Sequence, residues 1–296
     1  MLQLLKKGVR STLHAFTGEP KPQIGEFAKR IKHRHSTFWK SADAELIRNS
    51  YIDKNDSLEQ LQSVKYWQRK LSNKYNARLF AEMHGCRVPA LYWKGRNIDD
   101  LDFKKLPQQY VIRPTIGHSC NMVFLMNNTF NLMNKNFYSV EEIKEQLYQA
   151  LSENPHQEFL FEEFVKSESG EYKIPNDYKI SLFNGELAVI DVINRMSPKS
   201  GLSSCYDEHW NRVDTLSAYY NEASTQEPPL CLAEMIGFAK KLSKAYQIFV
   251  RIDFYATDKG AVFGEFTPTP GKCEGFRLDA DKKLLKYWDR YCPGMI

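Results

Sequence analysis

Two acids near the C-terminal end of the chain can face each other across a hairpin. Residues 248–271 read IFVRIDFYATDKGAVFGEFTPTPG. β-Branched and aromatic residues fill 248–256, 257–260 has turn chemistry, and 261–267 reads as a return strand. A three-residue loop of Asp258, Lys259 and Gly260, with Gly260 at positive φ, sets Asp253 opposite Glu265 and Arg251 opposite Thr267 on one face. Carboxylates so placed repel each other. A hard cation such as Mg²⁺ between them removes the repulsion. A register slipped by one residue sends the two acids to opposite faces instead.

Three shorter stretches carry weaker signals. Arg113 ends the strand-like QYVIRP and leads into TIGHSCN, which contains Gly117, His118, Ser119 and Asn121. Backbone N–H groups and a permanent cation suit a polyphosphate under a flap, although a surface turn with a structural arginine has the same letters. His118, Ser119 and Cys120 read as flap residues, not as a nucleophilic triad. In Phe161-Glu162-Glu163-Phe164-Val165, a strand ending in acids can hold an adenine by its backbone and a ribose by a carboxylate, or be an ordinary exposed strand end. Asp177 and Lys179 share a strand face and suit ribose and phosphate, or form a surface salt bridge of little worth.

The elements that must position these residues mix helices and hairpins. The spacing predicts helices over 57–71 and 73–84, the latter stopped by Gly85. Strands are expected at 87–93, 109–114, 122–126 and 158–165. A capping box at Ser139 and Glu142 opens a helix to about 152. Asn184-Gly185 marks a hairpin between YKISLF and ELAVIDVI. Helices are expected at 228–246, with proline at its start, and at 279–290. Without βαβ regularity the fold class is α+β. Six scattered cysteines with no CxxC pair suggest free thiols in the cytosol. No apolar run reaches membrane-span length, and the N-terminus lacks signal-peptide features. Residues 1–40 carry a net charge of +7 while the rest carries −2. That basic end predicts an anionic partner, through a solvated arm, a helix packed on the body, or a membrane-surface helix with Leu2, Leu5, Val9 and Phe16 on its apolar side. Nucleic acid is not expected, since no recognition motif occurs.

Taken in order, these pieces resemble the ATP-grasp superfamily, most closely its TupA-like branch, from about residue 70 to 276. The resemblance implies an ATP-grasp fold with two α+β lobes gripping a nucleotide, and a basic N-terminal helical segment. Its expected divisions are 1–56, 57–108, 109–166 with the flap, and 167–296 with the metal site. It implies ATP and Mg²⁺ as cofactors. Lys74 and Arg113 match the phosphate-gripping positions, TIGHSCN the flap, Glu162, Glu163 and Val165 the adenine hinge, and Asp177 the ribose acid. Lys179 and Arg195 match basic positions facing phosphate or substrate, and Asp253, Glu265 and Thr267 match the metal shell. Arg251 and Arg195 are candidates for the substrate carboxylate, with Arg251 alternatively paired to one of the acids. The implied activity is ligation of a carboxylate, such as a sugar acid of a surface polysaccharide, to an amine through an acyl phosphate. A kinase or a non-catalytic nucleotide-binding module are the alternatives. The implied setting is cytoplasmic, with peripheral contact to a membrane or a lipid-linked substrate through residues 1–40. Three departures stand out: Arg113 replaces the usual lysine, the flap has one glycine, and Thr267 stands where many members have asparagine.

Overall fold

A computed structural model describes residues 24–117, 120–198, 200–217 and 219–295. The apolar stripe expected near the N-terminus, and His118 and Ser119 of the flap, lie outside the described residues.

Two antiparallel sheets organise the chain. The first has six strands in the order β1-β6-β2-β3-β4-β5. Its strands are β1 (Leu91–Gly95), β2 (Gln109–Pro114), β3 (Phe124–Asn127), β4 (Phe130–Asn131), β5 (Asn136–Phe137) and β6 (Phe159–Glu163). The second runs β10-β9-β8-β7-β12-β13. It contains β7 (Asp177–Phe183), β8 (Glu186–Ser197), β9 (Ser200–Tyr206), β10 (Arg212–Val213), β12 (Val250–Thr257) and β13 (Gly260–Thr267). A short β11 (Asn221–Glu222) pairs with β9 in parallel, as the seventh strand.

Alternation along these strands buries one face of each sheet and leaves the other to line a cleft. In the first sheet Ile112, Phe124, Met126, Phe159 and Phe161 pack against Ile143, Leu147 and Leu151. These last three lie on the helix Val140–Glu153, which starts at the expected Ser139–Glu142 capping box. In the second sheet Ile180, Leu182, Val192, Ile252, Phe254 and Phe263 join a larger core. Helices Lys74–Met83, Leu232–Tyr246 and Leu278–Tyr291 cover it.

The N-terminal region adds two helices that apolar spacing did not reveal: α1 (Glu26–Trp39) and α2 (Ala44–Asn49). Helix α1 buries Phe27, Ala28 and Ile31 in the larger core. The buried Asp281 carboxylate accepts from the Phe27 and Ala28 N–H groups at 3.0 and 2.9 Å, satisfying donors that a helix start leaves unpaired. This part of the basic end is thus a helix packed on the body.

Several expected elements differ. The helix predicted over 57–71 is two pieces, Leu58–Gln62 and a 3₁₀ segment Trp67–Ser72. The break falls at Tyr66, in left-handed conformation with φ 60°. Apolar spacing continued across it because Leu61, Trp67 and Leu71 are all buried in one core. The strand predicted at 87–93 begins at Leu91, that at 122–126 runs Phe124–Asn127, and the helix predicted from 228 starts at Leu232, beyond its prolines. No helix among the described residues is long and apolar enough to cross a membrane. The described cysteines 86, 120, 205, 231 and 292 are free.

Candidate active site

The hairpin β12–β13 pairs Asp253 with Glu265 and Arg251 with Thr267. The route to that register differs from the expected one. Gly260 does take positive φ, at 96°, but Thr257 pairs with Gly260, which alone would slip the acids out of opposition. A bulge at Gly264 restores the register, since Phe254 faces Phe263 while Asp253 faces Glu265. Only glycine suits the bulge, because a Cβ there would lie 2.9 Å from the Asp253 carbonyl oxygen.

The second hairpin repeats the device. Asn184 and Gly185, at φ 51° and 96°, make the expected turn. A shift between Ser181 and Leu182 leaves Ala188 as an extra residue and brings Asp191 opposite Lys179. Four strands thereby carry a row of facing residues, Glu265, Asp253, Lys179 and Asp191, which continues to Cys205.

Ion pairs knit this row. Asp253 accepts from Arg251 Nε at 2.7 Å and Nη2 at 2.9 Å, and from Lys179 Nζ at 2.5 Å. Burial works against ionised Asp253, but Arg251 and Lys179 outweigh it and hold its pKa below the ordinary value. Burial likewise opposes the Lys179 cation, yet Asp177 and Asp253 raise its pKa. Glu265 is held more loosely, with Lys74 Nζ at 3.5 Å and Arg251 Nη2 at 3.7 Å. The Thr267 hydroxyl accepts from Arg251 at 2.9 Å. Arg195 grips Asp177 through Nε at 2.9 Å and through Nη2. Arg251 is thus in contact with both acids.

The six-stranded sheet contributes differently. Arg113 donates to Glu162 through Nε at 2.5 Å and to the Gly264 carbonyl at 3.2 Å. Arg78 donates to the same Glu162 at 2.7 Å. Glu162, 1% exposed, is clamped between two arginines and does not stand open at the sheet edge. Glu163 pairs with Lys259 and accepts from Ala90 N–H at 3.2 Å. Lys74 donates to the Gly117 carbonyl at 3.2 Å, tying its helix to the flap.

These residues meet in one cleft of about 1130 Å³, lined by Lys74, Arg113, Gly117, Glu162, Glu163, Val165, Asp177, Lys179, Arg195, Arg251, Asp253, Glu265 and Thr267. Val111, Val123, Leu125, Met133, Phe164 and Ile174 give it an apolar wall. Nothing in the sequence singled these out, because their common face depends on strand pairing across distant segments. Asp191 was also missed. It accepts from Ser203 at 2.6 Å, and burial raises its pKa. Its signal was a lone acid inside the apolar run LAVIDVI. Among the described residues no group of three or more His, Cys, Asp or Glu converges as a metal cage.

Two antiparallel sheets close on a cleft with one apolar wall and one wall laced with acids and cations, an α+β architecture. The chain belongs to the TupA-like ATP-grasp family, whose sequence pattern matches residues 57–287. Solved structures of similar shape include a D-alanine–D-alanine ligase from Bacillus anthracis complexed with ATP, 18% identical, with TM-score 0.49. That match covers 75% of this chain and 65% of that one, so the chain spans just under two thirds of the ligase's length. A D-alanine–D-alanine ligase from Helicobacter pylori is 16% identical, with TM-score 0.46, covering 79% of this chain and 67% of that one. An N5-carboxyaminoimidazole synthetase from Staphylococcus aureus complexed with ADP is 12% identical, with TM-score 0.45, covering 76% and 54%. No curated protein matches the chain.

Proposed function

We propose that the protein is an ATP- and Mg²⁺-dependent ligase that joins a carboxylate to an amine through an acyl phosphate. The observation that carries this reading is the row Glu265, Asp253, Lys179 and Asp191 on the cleft face of the seven-stranded sheet. Its donor set fits Mg²⁺, which takes one or two carboxylates when phosphate oxygens complete the shell. Glu265 is free to turn toward such an ion. Asp253 can join it once Arg251 or Lys179 yields one oxygen. Bound MgATP would supply the phosphoryl group to be transferred.

The chain's own residues then position and neutralise. Val111, Leu125, Phe164 and Val165 offer a purine an apolar slot. Lys74, with its contacts at 3.2 and 3.5 Å, can swing onto a phosphate. Arg113, held by Glu162 and the Gly264 carbonyl, adds a fixed positive charge to the cleft wall. Arg251 and Lys179 keep Asp253 ionised. A substrate carboxylate oxygen attacks the γ-phosphorus as the bond to ADP breaks. An amine nitrogen then attacks the acyl carbon, phosphate leaves, and the nitrogen loses a proton. Family membership supports a sugar acid of a surface polysaccharide as the carboxylate. The basic N-terminal end supports contact with a membrane or a lipid-linked acceptor at the cytoplasmic face.

Hydroxylamine trapping tests the chemistry. Incubation with ATP, Mg²⁺, hydroxylamine and a panel of amino and sugar acids should give a hydroxamate and ADP. A stable phosphoester with no hydroxamate would replace the ligase reading with a kinase.

A further inference from the structure

The cleft is larger than the roughly 300–1,000 Å³ typical of a single-ligand pocket, and its lining continues past the proposed triphosphate end. Two residues beyond Thr267, the Thr269 hydroxyl receives Arg69 Nη1 at 3.3 Å and lies 3.4 Å from His35 Nδ1. Arg69 sits on the 3₁₀ segment Trp67–Ser72, which runs directly into Lys74. The wall is completed by α1 and α2, which supply Phe38, Trp39 and Arg48. Both helices precede the part of the chain that matches the family.

We infer that this extension, built by α1, α2 and the 3₁₀ segment, is the subsite for the acid substrate, and that it takes a carboxylate carried on a ring. The inference rests on the ligase reading. Arg69 lies over Phe38 and Arg48 over Trp39, each with its guanidinium carbon 5.2 Å from the ring centre. Stacking pre-orders a guanidinium for the planar, bidentate grip that a carboxylate accepts. Arg48 makes no salt bridge among the described residues. Burial pulls its pKa down, and the more distant Glu45 restores only part of that. An anion arriving there would meet a cation whose charge is not already neutralised by contact. Trp39 is 36% exposed and offers an apolar platform beside the cations. The subsite adjoins Thr267 and Lys74, so a carboxylate-bearing ring held here sits next to the transferable phosphate.

Calorimetric titration of the full chain with glucuronate, in the presence of Mg²⁺ and a non-hydrolysable ATP analogue, tests this. Glucose and acetate serve as the ring without the charge and the charge without the ring. Glucuronate should bind at least about tenfold more tightly than either fragment. Arg48→Ala and Trp39→Ala, checked for folding by thermal denaturation, should each weaken it about tenfold or more. Unchanged glucuronate affinity in both variants, equal binding of acetate, or no glucuronate binding by a protein that does bind the nucleotide analogue would overturn the subsite. Failure to bind the nucleotide analogue at all would overturn the ligase reading together with it.

Discussion

Glu162 and Asp253 are both buried acids clamped by two cations, yet they sit in regions with opposite tasks. Glu162 is closed in by Arg78 and Arg113, and Arg78 and Arg113 also donate to the carbonyls of Pro89 and Gly264. Both arginines are nearly fully buried, which makes the cluster a strut between the helix Lys74–Met83, β6, β2 and the bulge in β13. Asp253 is gripped just as firmly, but beside it Glu265 lies 3.5 Å from Lys74 and 3.7 Å from Arg251, and Lys179 lies 3.5 Å from Asp177. That slack lets charges re-pair around an incoming anion. A tight, satisfied cluster stabilises; a loose one beside it is equipped to bind.

The contrast breaks most sharply at Glu162. Glu162→Ala takes the closest acid from two buried guanidinium groups and should cost about 3–5 kcal/mol of stability, read by denaturant unfolding. A loss below about 1 kcal/mol would mean that the strut bears little of the fold.

Next is Asp253. Its folded pKa is depressed, so around pH 4 the unfolded chain binds more protons than the native one. The stabilisation from this acid is therefore complete above about pH 4 and fades as pH falls through the lower native value. Asp253→Asn should flatten the acid limb of a stability–pH curve. An unchanged limb would show that the pair with Arg251 and Lys179 contributes nothing. Gly264→Ala should cost about 1–3 kcal/mol through overpacking against the Asp253 carbonyl, and should depress ATP turnover with it. Loss of stability alone would detach the bulge from the chemistry.

The smallest effect is expected at Asp191. Burial raises its folded pKa, so the native protein binds more protons than the unfolded chain between the two values. Its contribution to stability therefore falls as pH rises through them. Asp191→Asn should raise the melting temperature at pH 7 and leave it unchanged at pH 3. A lower melting temperature at pH 7 would show that the ionised acid is needed by Lys179.

These regions were unequally legible in the sequence. The Asp253–Glu265 opposition was readable because turn chemistry and strand composition are local. It was reached, however, through a bulge at Gly264 that loop length does not disclose. The same blindness hid Asp191, which an unbulged Asn184-Gly185 hairpin would put on the far face. Glu162 looked like a strand-end acid because its partners, Arg78 and Arg113, are 84 and 49 residues away in the chain. The helix break at Tyr66 was silent because burial on both sides preserved the apolar spacing. Family membership was legible because it rests on the order of many local motifs, while the fine pairing of each charge rests on registers that only the folded sheets fix.

Glu265 is the acid best suited to test the metal directly, since among the described residues no ion-pair partner approaches it closer than 3.5 Å and its loss should spare the fold. Binding of a non-hydrolysable ATP analogue, measured with and without Mg²⁺ in the native protein and in Glu265→Gln, isolates its part. Mg²⁺ should tighten binding to the native protein, and Glu265→Gln should lose most of that gain while keeping its Mg²⁺-free affinity. The same Mg²⁺-dependent gain in both proteins would contradict a cation held by the paired acids.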